Sequence, residues 1–185
     1  MGDVVVLGAV LAAGAGTRYG TPKILAHQGE WLRKAVGALL AGGCDEVVVA
    51  MGAAVVEPPS GAGVLVVDDW ACGLSATVRR VLKRALGIPG CAGVVLHVVD
   101  TPDVGGAAVR RVLSESRREP SALVRAVYDG RPGHPVYLGR DHLADIVGAL
   151  SGDSGAGAYL TSHRDAVITV ECGDLAAGRD IDTPG

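Results

Sequence analysis

Short apolar runs alternate with amphipathic stretches along almost the whole 185-residue chain. We predict strands at residues 4–10, 46–51, 64–67, 93–99, 121–128, 135–138 and 166–170. Helices are predicted at residues 31–41, 74–86, 104–116, 142–150 and 155–162. Because parallel strands need crossover connections, this alternation predicts a three-layer α/β/α sandwich around a mostly parallel mixed sheet. No linker or internal repeat interrupts the pattern, so residues 1–185 are expected to form a single domain.

The most apolar of these predicted strands, residues 93–99, is expected at the centre of the sheet with both faces covered. Asp129-Gly130-Arg131-Pro132 is typical of a sharp reversal and predicts a hairpin that adds antiparallel structure at one side of the sheet. Ligands of open α/β sheets bind at the carboxyl ends of the strands. The segments that follow residues 4–10 and 93–99 are therefore the candidate binding segments.

A glycine-rich loop follows the first predicted strand and reads Leu11-Ala12-Ala13-Gly14-Ala15-Gly16-Thr17-Arg18-Tyr19-Gly20-Thr21-Pro22-Lys23. Glycines let main-chain N–H groups approach anionic oxygens closely, and Arg18 and Lys23 add positive charge, so the loop suits a polyphosphate. The spacing differs from the G-x-x-x-x-G-K-[ST] loop, because Lys23 follows a proline. It also differs from G-x-G-x-x-G, because the third glycine falls one residue late, so the common ATPase and dinucleotide loops fit poorly.

Carboxylates far apart in sequence could hold a metal ion. Asp100 directly follows the predicted strand at residues 93–99, where a carboxylate needs a partner such as Mg²⁺ or serves as a cap for the next turn. Asp182 lies in Asp180-Ile181-Asp182-Thr183-Pro184, which alone is an ordinary turn signal and gains interest only by pairing with Asp100. Asp103 and Asp153 are predicted as N-caps of the helices that follow them.

Composition excludes several classes of protein. The net charge of −3 argues against a general nucleic-acid binder, since affinity for phosphate backbones needs a positive surface. No apolar run is long enough to span a bilayer and the N-terminus lacks a basic leader region, so a cytoplasmic location without membrane contact is expected. The cysteines show no zinc-ligand spacing and are expected to be buried thiols: Cys44, Cys72, Cys91 and Cys172.

Taken together, five segments resemble the molybdopterin cytidylyltransferase group of the MobA-like NTP transferases. The glycine-rich loop is similar to the LAAG-x-x-x-R-x-G-x-P-K signature at every fixed position. Residues 68–77 are similar to the family's segment with a tryptophan before G-[LM]-S, although Asp68 stands where the family tends to have Asn. Residues 98–104, 133–136 and 180–184 resemble, in order, its D-x-P-x-[VI], GHP and DIDTP blocks.

The resemblance implies a fold like that of the nucleotide-diphospho-sugar transferases and transfer of a nucleotidyl group from an NTP, with release of pyrophosphate. It implies triphosphate binding by the side chains of Arg18 and Lys23 and by the backbone of Gly14, Ala15, Gly16 and Thr17. It implies a base site lined by Leu11, Ala12, Ala13, Gly73 and Ser75. Asp100 and Asp182 would bind Mg²⁺, and Arg18, Lys23 and Asp100 would be the catalytic residues. Ala13, in LAAG, favours CTP over GTP, and the implied acceptor is molybdopterin.

One departure keeps other functions open. Gly157 stands where the family usually has an Arg that would contact acceptor or phosphate. The alternatives are a transferase that uses GTP or a sugar or polyol phosphate, and a non-catalytic nucleotide-binding partner or chaperone of a molybdoenzyme. A nicotinamide-dependent oxidoreductase is disfavoured by the loop spacing and because no acidic residue follows the second predicted strand at the expected distance.

Overall fold

The computed structural model describes residues 4–184, in which seven strands form one sheet with helices on both faces. The strands are β1 (Val5–Ala12), β2 (Glu46–Met51), β3 (Gly63–Val66), β4 (Cys91–Val98), β5 (Leu123–Tyr128), β6 (Arg131–Gly139) and β7 (Val167–Glu171). The helices are α1 (Glu30–Gly42), α2 (Leu74–Leu86), α3 (Gly106–Ser116), α4 (Arg140–Ala149) and α5 (Gly157–Ser162), with 3-10 segments at Lys23–Gly29 and Trp70–Cys72. Within residues 4–184, no helix is long and apolar enough to cross a membrane.

The sheet has the order β3-β2-β1-β4-β6-β5-β7, and only β6 among these seven strands runs antiparallel to its neighbours. The predicted mostly parallel mixed sheet is therefore confirmed. The turn between β5 and β6 is confined to Asp129 and Gly130, which both have positive φ as a tight hairpin requires. The predicted hairpin at one side of the sheet is also confirmed, because β6 and β5 lie on the same side of the central strand β4, with β6 next to β4 and β7 at the edge beyond β5.

Strand β4 lies at the centre, as its sequence predicts. Val94 and Leu96 pack into the cluster that includes α2 and α4, while Val95 and the following Val99 pack into the opposite cluster under α1 and α3. Layers of apolar side chains thus cover both faces of the strand. This burial fixes the end of β4, and with it Asp100, relative to the end of β1 and the glycine-rich loop.

Two predicted helix caps and one predicted burial were wrong. Helix α3 begins three residues after Asp103, with Gly105 at the cap position and no capping side-chain bond, because the Asp103 carboxylate bonds elsewhere. Helix α5 begins four residues after Asp153, with Ala156 at the cap position. Cys72 is exposed in its 3-10 segment, whereas the other three cysteines are buried thiols.

A histidine is sealed inside the strand that carries Asp100. The His97 side chain is completely buried, and neither ring nitrogen has a hydrogen-bond partner within residues 4–184. The nearby main chain of Val104 acts to raise the pKa of His97, although it forms no hydrogen bond of normal geometry with the ring. Burial, with a smaller contribution from His134, lowers the pKa of His97 to about 3. The folded protein therefore holds this ring neutral throughout the physiological range.

This burial predicts a pH-dependent stability. The unfolded ring binds a proton near pH 6.5 and the folded ring does not, so stability falls as pH drops from about 6.5 towards 3. Between pH 7.5 and 5.5, His97 is expected to lower the free energy of unfolding by about 1.4 kcal/mol. Urea unfolding of His97→Leu should show a correspondingly smaller loss over that interval, whereas an identical loss in both proteins would contradict the assignment.

Candidate active site

A cavity of about 710 Å³ opens at the carboxyl ends of β1 and β4, a volume within the range of small-molecule binding sites. The end of β1, the glycine-rich loop, the start of α2, residues 153–157 and the C-terminal segment all contribute to its walls. Eleven of the sequence-predicted site residues line it, namely Leu11, Ala12, Ala13, Gly14, Ala15, Gly16, Arg18, Lys23, Gly73, Asp100 and Asp182. The topology therefore brings together residues from both ends of the chain.

Two predicted site residues lie outside the cavity lining. Thr17 is exposed and is not part of the cavity lining. Ser75 is buried, and its amide donates a 3.1 Å hydrogen bond to the Gly152 carbonyl. Ser75 thus ties the segment around Gly73 to the loop that precedes α5, and a direct contact of either residue with a nucleotide stays a prediction.

The glycine-rich loop turns back on itself after β1. Gly16 has a φ of +63°, and a Cβ at this position would collide with the Thr21 carbonyl. The Gly20 amide donates a 2.8 Å hydrogen bond to the Gly16 carbonyl. This close approach requires glycine and holds the loop compact, so that Arg18 and Lys23 both reach the cavity.

Lys23 joins the two carboxylates that the sequence predicts to act together. Its Nζ lies 2.8 Å from Asp100 Oδ2 and 3.0 Å from Asp182 Oδ1. The Lys23 and Asp100 side chains are only 19% and 23% exposed, so water screens their ion pair less than a surface pair. Arg18 Nη1 lies 3.9 Å from the other Asp182 oxygen. Two carboxylates and two cations therefore converge at one mouth of the cavity.

The pKa shifts follow from this convergence. Burial opposes the charged form of Lys23, but hydrogen bonds and attraction to Asp100 and Asp182 outweigh it and raise the pKa of Lys23. The hydrogen bond and charge of Lys23 lower the pKa of Asp182. Asp180 lines the same cavity, and desolvation together with the charges of Asp100 and Asp182 raises its pKa. The site thus holds excess negative charge, which favours binding of a further cation.

The segment that carries Asp182, residues 172–184, is here named the C-terminal strap. The Ile181 amide donates a 2.9 Å hydrogen bond to the main-chain carbonyl of Asp100, which fixes the strap beside the end of β4. Upstream, the carboxylate of Asp103 accepts hydrogen bonds from the amides of Ala177 and Gly178, at 2.8 and 3.1 Å. Asp103 is therefore a positioning residue that holds the strap and, through it, Asp182.

Replacing Asp103 with alanine is expected to release the strap. The two amides lose a charged acceptor, so hydrogen exchange in residues 176–182 should accelerate by about tenfold or more, corresponding to about 1.5–3 kcal/mol of local stability. Mass-spectrometric hydrogen exchange measures this, with Asp165→Ala as the control, because the Asp165 side chain is fully exposed. Unchanged exchange in the strap of Asp103→Ala would show that Asp103 does not hold it.

Asp100 and Asp182 are the candidate ligands for a divalent cation in this cavity. Among residues 4–184, no three His, Cys, Asp or Glu side chains form a preassembled metal centre. Mg²⁺, however, typically uses one or two carboxylates and completes its shell with substrate phosphates and water. Asp100 and Asp182 supply two carboxylates that both accept hydrogen bonds from one ammonium group. These residues fit a metal that binds together with a polyphosphate, rather than a permanently bound structural ion.

Sequence reasoning missed several residues that line the cavity: Trp70, Arg125, His134, Asp153 and Asp180. Asp180 and His134 lay within segments already singled out, but nothing in those patterns assigned them a role. Arg125 offered a clearer signal, since it is the one charge inside the apolar run Leu123–Tyr128. Charged side chains are rarely found within a largely buried strand unless they are paired or belong to a binding site.

A family model and a protein of known name both match most of this chain in sequence. The sequence model of the MobA-like NTP transferase domain matches residues 8–167. The nicotine blue oxidoreductase of Paenarthrobacter nicotinovorans is 31% identical over 204 aligned positions, and the match covers 99% of this chain and 96% of that protein.

Three solved structures are similar to this chain over nearly its whole length. The Rv0371c homologue from Mycobacterium sp. strain JC1 has a TM-score of 0.76 at 30% identity, covering 96% of this chain and 90% of its own. The manganese complex of Rv0371c from Mycobacterium tuberculosis has a TM-score of 0.72 at 25% identity, covering 96% and 94%. In fold alone, a nucleotidyl transferase from Methanothermobacter thermautotrophicus is similar, with a TM-score of 0.79 at 21% identity and coverage of 98% and 93%. The predicted fold class is confirmed by these neighbours.

Proposed function

The chain belongs to the MobA-like NTP transferase family, and from this premise we propose that it transfers CMP from CTP to the phosphate of a molybdopterin-type acceptor, with Mg²⁺ as cofactor and pyrophosphate as product. The observation that carries the proposal is the convergence of Arg18 and Lys23 with Asp100 and Asp182 at the mouth of the cavity. Cations are needed there to hold a triphosphate, and carboxylates are needed to hold a divalent metal.

In the proposed reaction, an acceptor phosphate oxygen attacks the α-phosphorus of CTP in line, and the bond to the pyrophosphate oxygen breaks. The protein supplies position and charge rather than a general base, because a phosphate acceptor is already anionic near neutral pH. Arg18 and Lys23 stabilise the departing pyrophosphate. Mg²⁺ held by Asp100 and Asp182 would polarise the α-phosphate.

Lys23 has a second role in this scheme. Its ammonium group donates hydrogen bonds to both Asp100 and Asp182. A triphosphate in the glycine-rich loop offers the ammonium group new anionic partners, which leaves the two carboxylates available to a cation. Nucleotide and metal binding should therefore be mutually dependent, and the manganese complex of Rv0371c supports a divalent cation in this family.

The choice of CTP rests on the LAAG sequence of the loop, whose Ala13 lines the cavity. The test is a panel of CTP, GTP, ATP and UTP, each with Mg²⁺, followed by thermal unfolding and by release of pyrophosphate on addition of molybdopterin. CTP is expected to give the largest shift in Tm and molybdopterin-dependent pyrophosphate. If pyrophosphate is released only with a sugar or polyol phosphate, the acceptor is that phosphate and not molybdopterin. If CTP binds without turnover, the non-catalytic alternative is favoured, which is the one consistent with Gly157 in place of the family's Arg.

A second candidate function is an oxidoreductase reaction, favoured by the name of the Paenarthrobacter nicotinovorans relative. The residues that follow β2, Gly52-Ala53-Ala54, include no acidic side chain of the type that binds the ribose in dinucleotide folds. Incubation with nicotine blue and NADH or NADPH, followed at the absorbance of the reduced nicotinamide, separates the two functions. Consumption of the reduced cofactor that depends on nicotine blue would favour the redox reaction over nucleotidyl transfer.

A further inference from the structure

Arg125 places a cation on the wall of the cavity, away from Arg18 and Lys23. Its side chain is half-buried, and its one protein hydrogen bond within residues 4–184 is a long 3.4 Å contact from Nε to the Gly133 carbonyl. No carboxylate in that part of the chain lies within ion-pair distance of its guanidinium group. Burial lowers its pKa, and no neighbouring carboxylate offsets that effect. Partial burial of a charge without a partner of opposite charge costs free energy, so the position requires an explanation beyond folding.

The register of the sheet places Arg125 away from the glycine-rich loop. Leu96 on β4 pairs with Val136 on β6, and Val136 pairs with Arg125 on β5, so the three side chains project from one face in a row. Their row forms part of the cavity lining. Strand β5 lies three strand spacings from β1, a separation of about 14 Å. The apolar row therefore leads from the Lys23 end of the cavity to an isolated guanidinium group at the other.

His134 lies beside this group. It lines the same end of the cavity, and burial together with the charge of Arg125 lowers its pKa to about 4. At neutral pH, His134 is uncharged and can donate or accept one hydrogen bond. Tyr128 Oη donates to the His134 carbonyl at 2.6 Å, which helps fix this part of β6. The guanidinium group of Arg125 therefore has several N–H donors available to a ligand, and the neutral ring of His134 lies beside it.

We infer that Arg125, with His134, forms an anion-binding subsite that recognises an anionic group of the acceptor, separate from the triphosphate site at Arg18 and Lys23. The inference rests on the proposed nucleotidyl transfer, because the nucleotide occupies the other end of the cavity. Guanidinium presents paired N–H donors that match phosphate and carboxylate oxygens. Arg125 therefore selects acceptors that bear an anionic group and excludes neutral alcohols of similar size.

The test is a calorimetric titration with phenyl phosphate as probe. The protein is first saturated with α,β-methylene-CTP and Mg²⁺, so that the loop is filled. Arg125→Met should weaken phenyl phosphate binding by about tenfold or more, since a charge-assisted pair is lost, and Arg125→Lys should retain part of it. The matched control is Arg164→Met, because Arg164 is 84% exposed and outside the cavity. Unchanged phenyl phosphate affinity in Arg125→Met, or loss of nucleotide affinity instead, would overturn the inference.

A second measurement guards against a merely structural role for Arg125. Arg125→Met should leave the Tm of the ligand-free protein unchanged or higher, because methionine suits the apolar wall better than an unpaired charge. A marked fall in Tm would instead assign Arg125 to folding. If α,β-methylene-CTP does not bind at all, the proposed function fails by itself. Phenyl phosphate binding to the nucleotide-free protein should then still be lost in Arg125→Met and survive in Lys23→Met.

Discussion

Replacing Asp100 with asparagine is expected to lower the rate of pyrophosphate release by about a thousandfold or more, while the fold is retained. The substitution removes the negative charge of Asp100, whose Oδ2 lies 2.8 Å from Lys23 Nζ. A lost metal ligand at the reacting phosphate removes about 4 kcal/mol of transition-state stabilisation, which corresponds to about a thousandfold in rate. Single-turnover assays with saturating CTP and Mg²⁺ measure the effect without interference from product release.

Asparagine preserves the shape of the side chain, so the loss should appear in turnover rather than in Tm. The Asp100 main-chain carbonyl would still accept the bond from Ile181 and keep the C-terminal strap in place. Asp165→Asn removes an equal charge from a fully exposed position and should leave the rate unchanged. If Asp100→Asn turned over CTP at the wild-type rate, Asp100 would not be a metal ligand of the reaction.

Replacing Lys23 with methionine is expected to weaken CTP binding by about 10- to 100-fold, because a charge-assisted hydrogen bond to phosphate contributes about 1.5–3 kcal/mol. The same change leaves Asp100, Asp180 and Asp182 without their central cation. Mutual repulsion should then raise the pKa of Asp180 further and increase the affinity of the metal in the absence of nucleotide. Titration of CTP and of Mn²⁺ by calorimetry measures both effects, and they are expected to be of opposite sign.

Lys34→Met provides the matched control for this lysine. Lys34 forms an exposed pair with Glu30 one helical turn away, at 3.0 Å, and such pairs contribute only a few tenths of a kcal/mol. CTP affinity should be unaffected in this variant. Equal CTP affinity in Lys23→Met and wild type would remove Lys23 from the triphosphate site.

The sequence predicted the fold well where the signal was local. The bounds of β2 and α2 match the predicted ranges, because each element coincides with an uninterrupted apolar or amphipathic pattern. The sequence placed the hairpin correctly at one side of the sheet, but it did not predict that β7 lies beyond β5, because the order of strands depends on non-local packing, which no single segment encodes. Asp103 was assigned to a helix cap for a similar reason, since its true partners, Ala177 and Gly178, lie more than 70 residues away.

For the candidate site too, local motifs were predictive, whereas features that depend on non-local contacts were not. Motif resemblance identified the loop and two distant aspartates, and the structure brings Asp100 and Asp182 to the same ammonium group. Motif resemblance did not assign a role to Arg125, although it is the one charge in the run Leu123–Tyr128, because its role depends on the neighbouring row of apolar residues and on the lack of a carboxylate partner within residues 4–184. The lone charge in an apolar run marks the position, but which groups surround the side chain is a property of the folded molecule.

The most direct test of the central claim follows the fate of the α-phosphate. CTP labelled with ³²P at the α-position is incubated with the protein, Mg²⁺ and molybdopterin, and the products are separated. We expect label in the acceptor and an equal amount of unlabelled pyrophosphate, with both formed about a thousandfold or more slowly in Asp100→Asn. Label that stays in CTP, although CTP binds and the panel of acceptors has been tried, would contradict nucleotidyl transfer at this site.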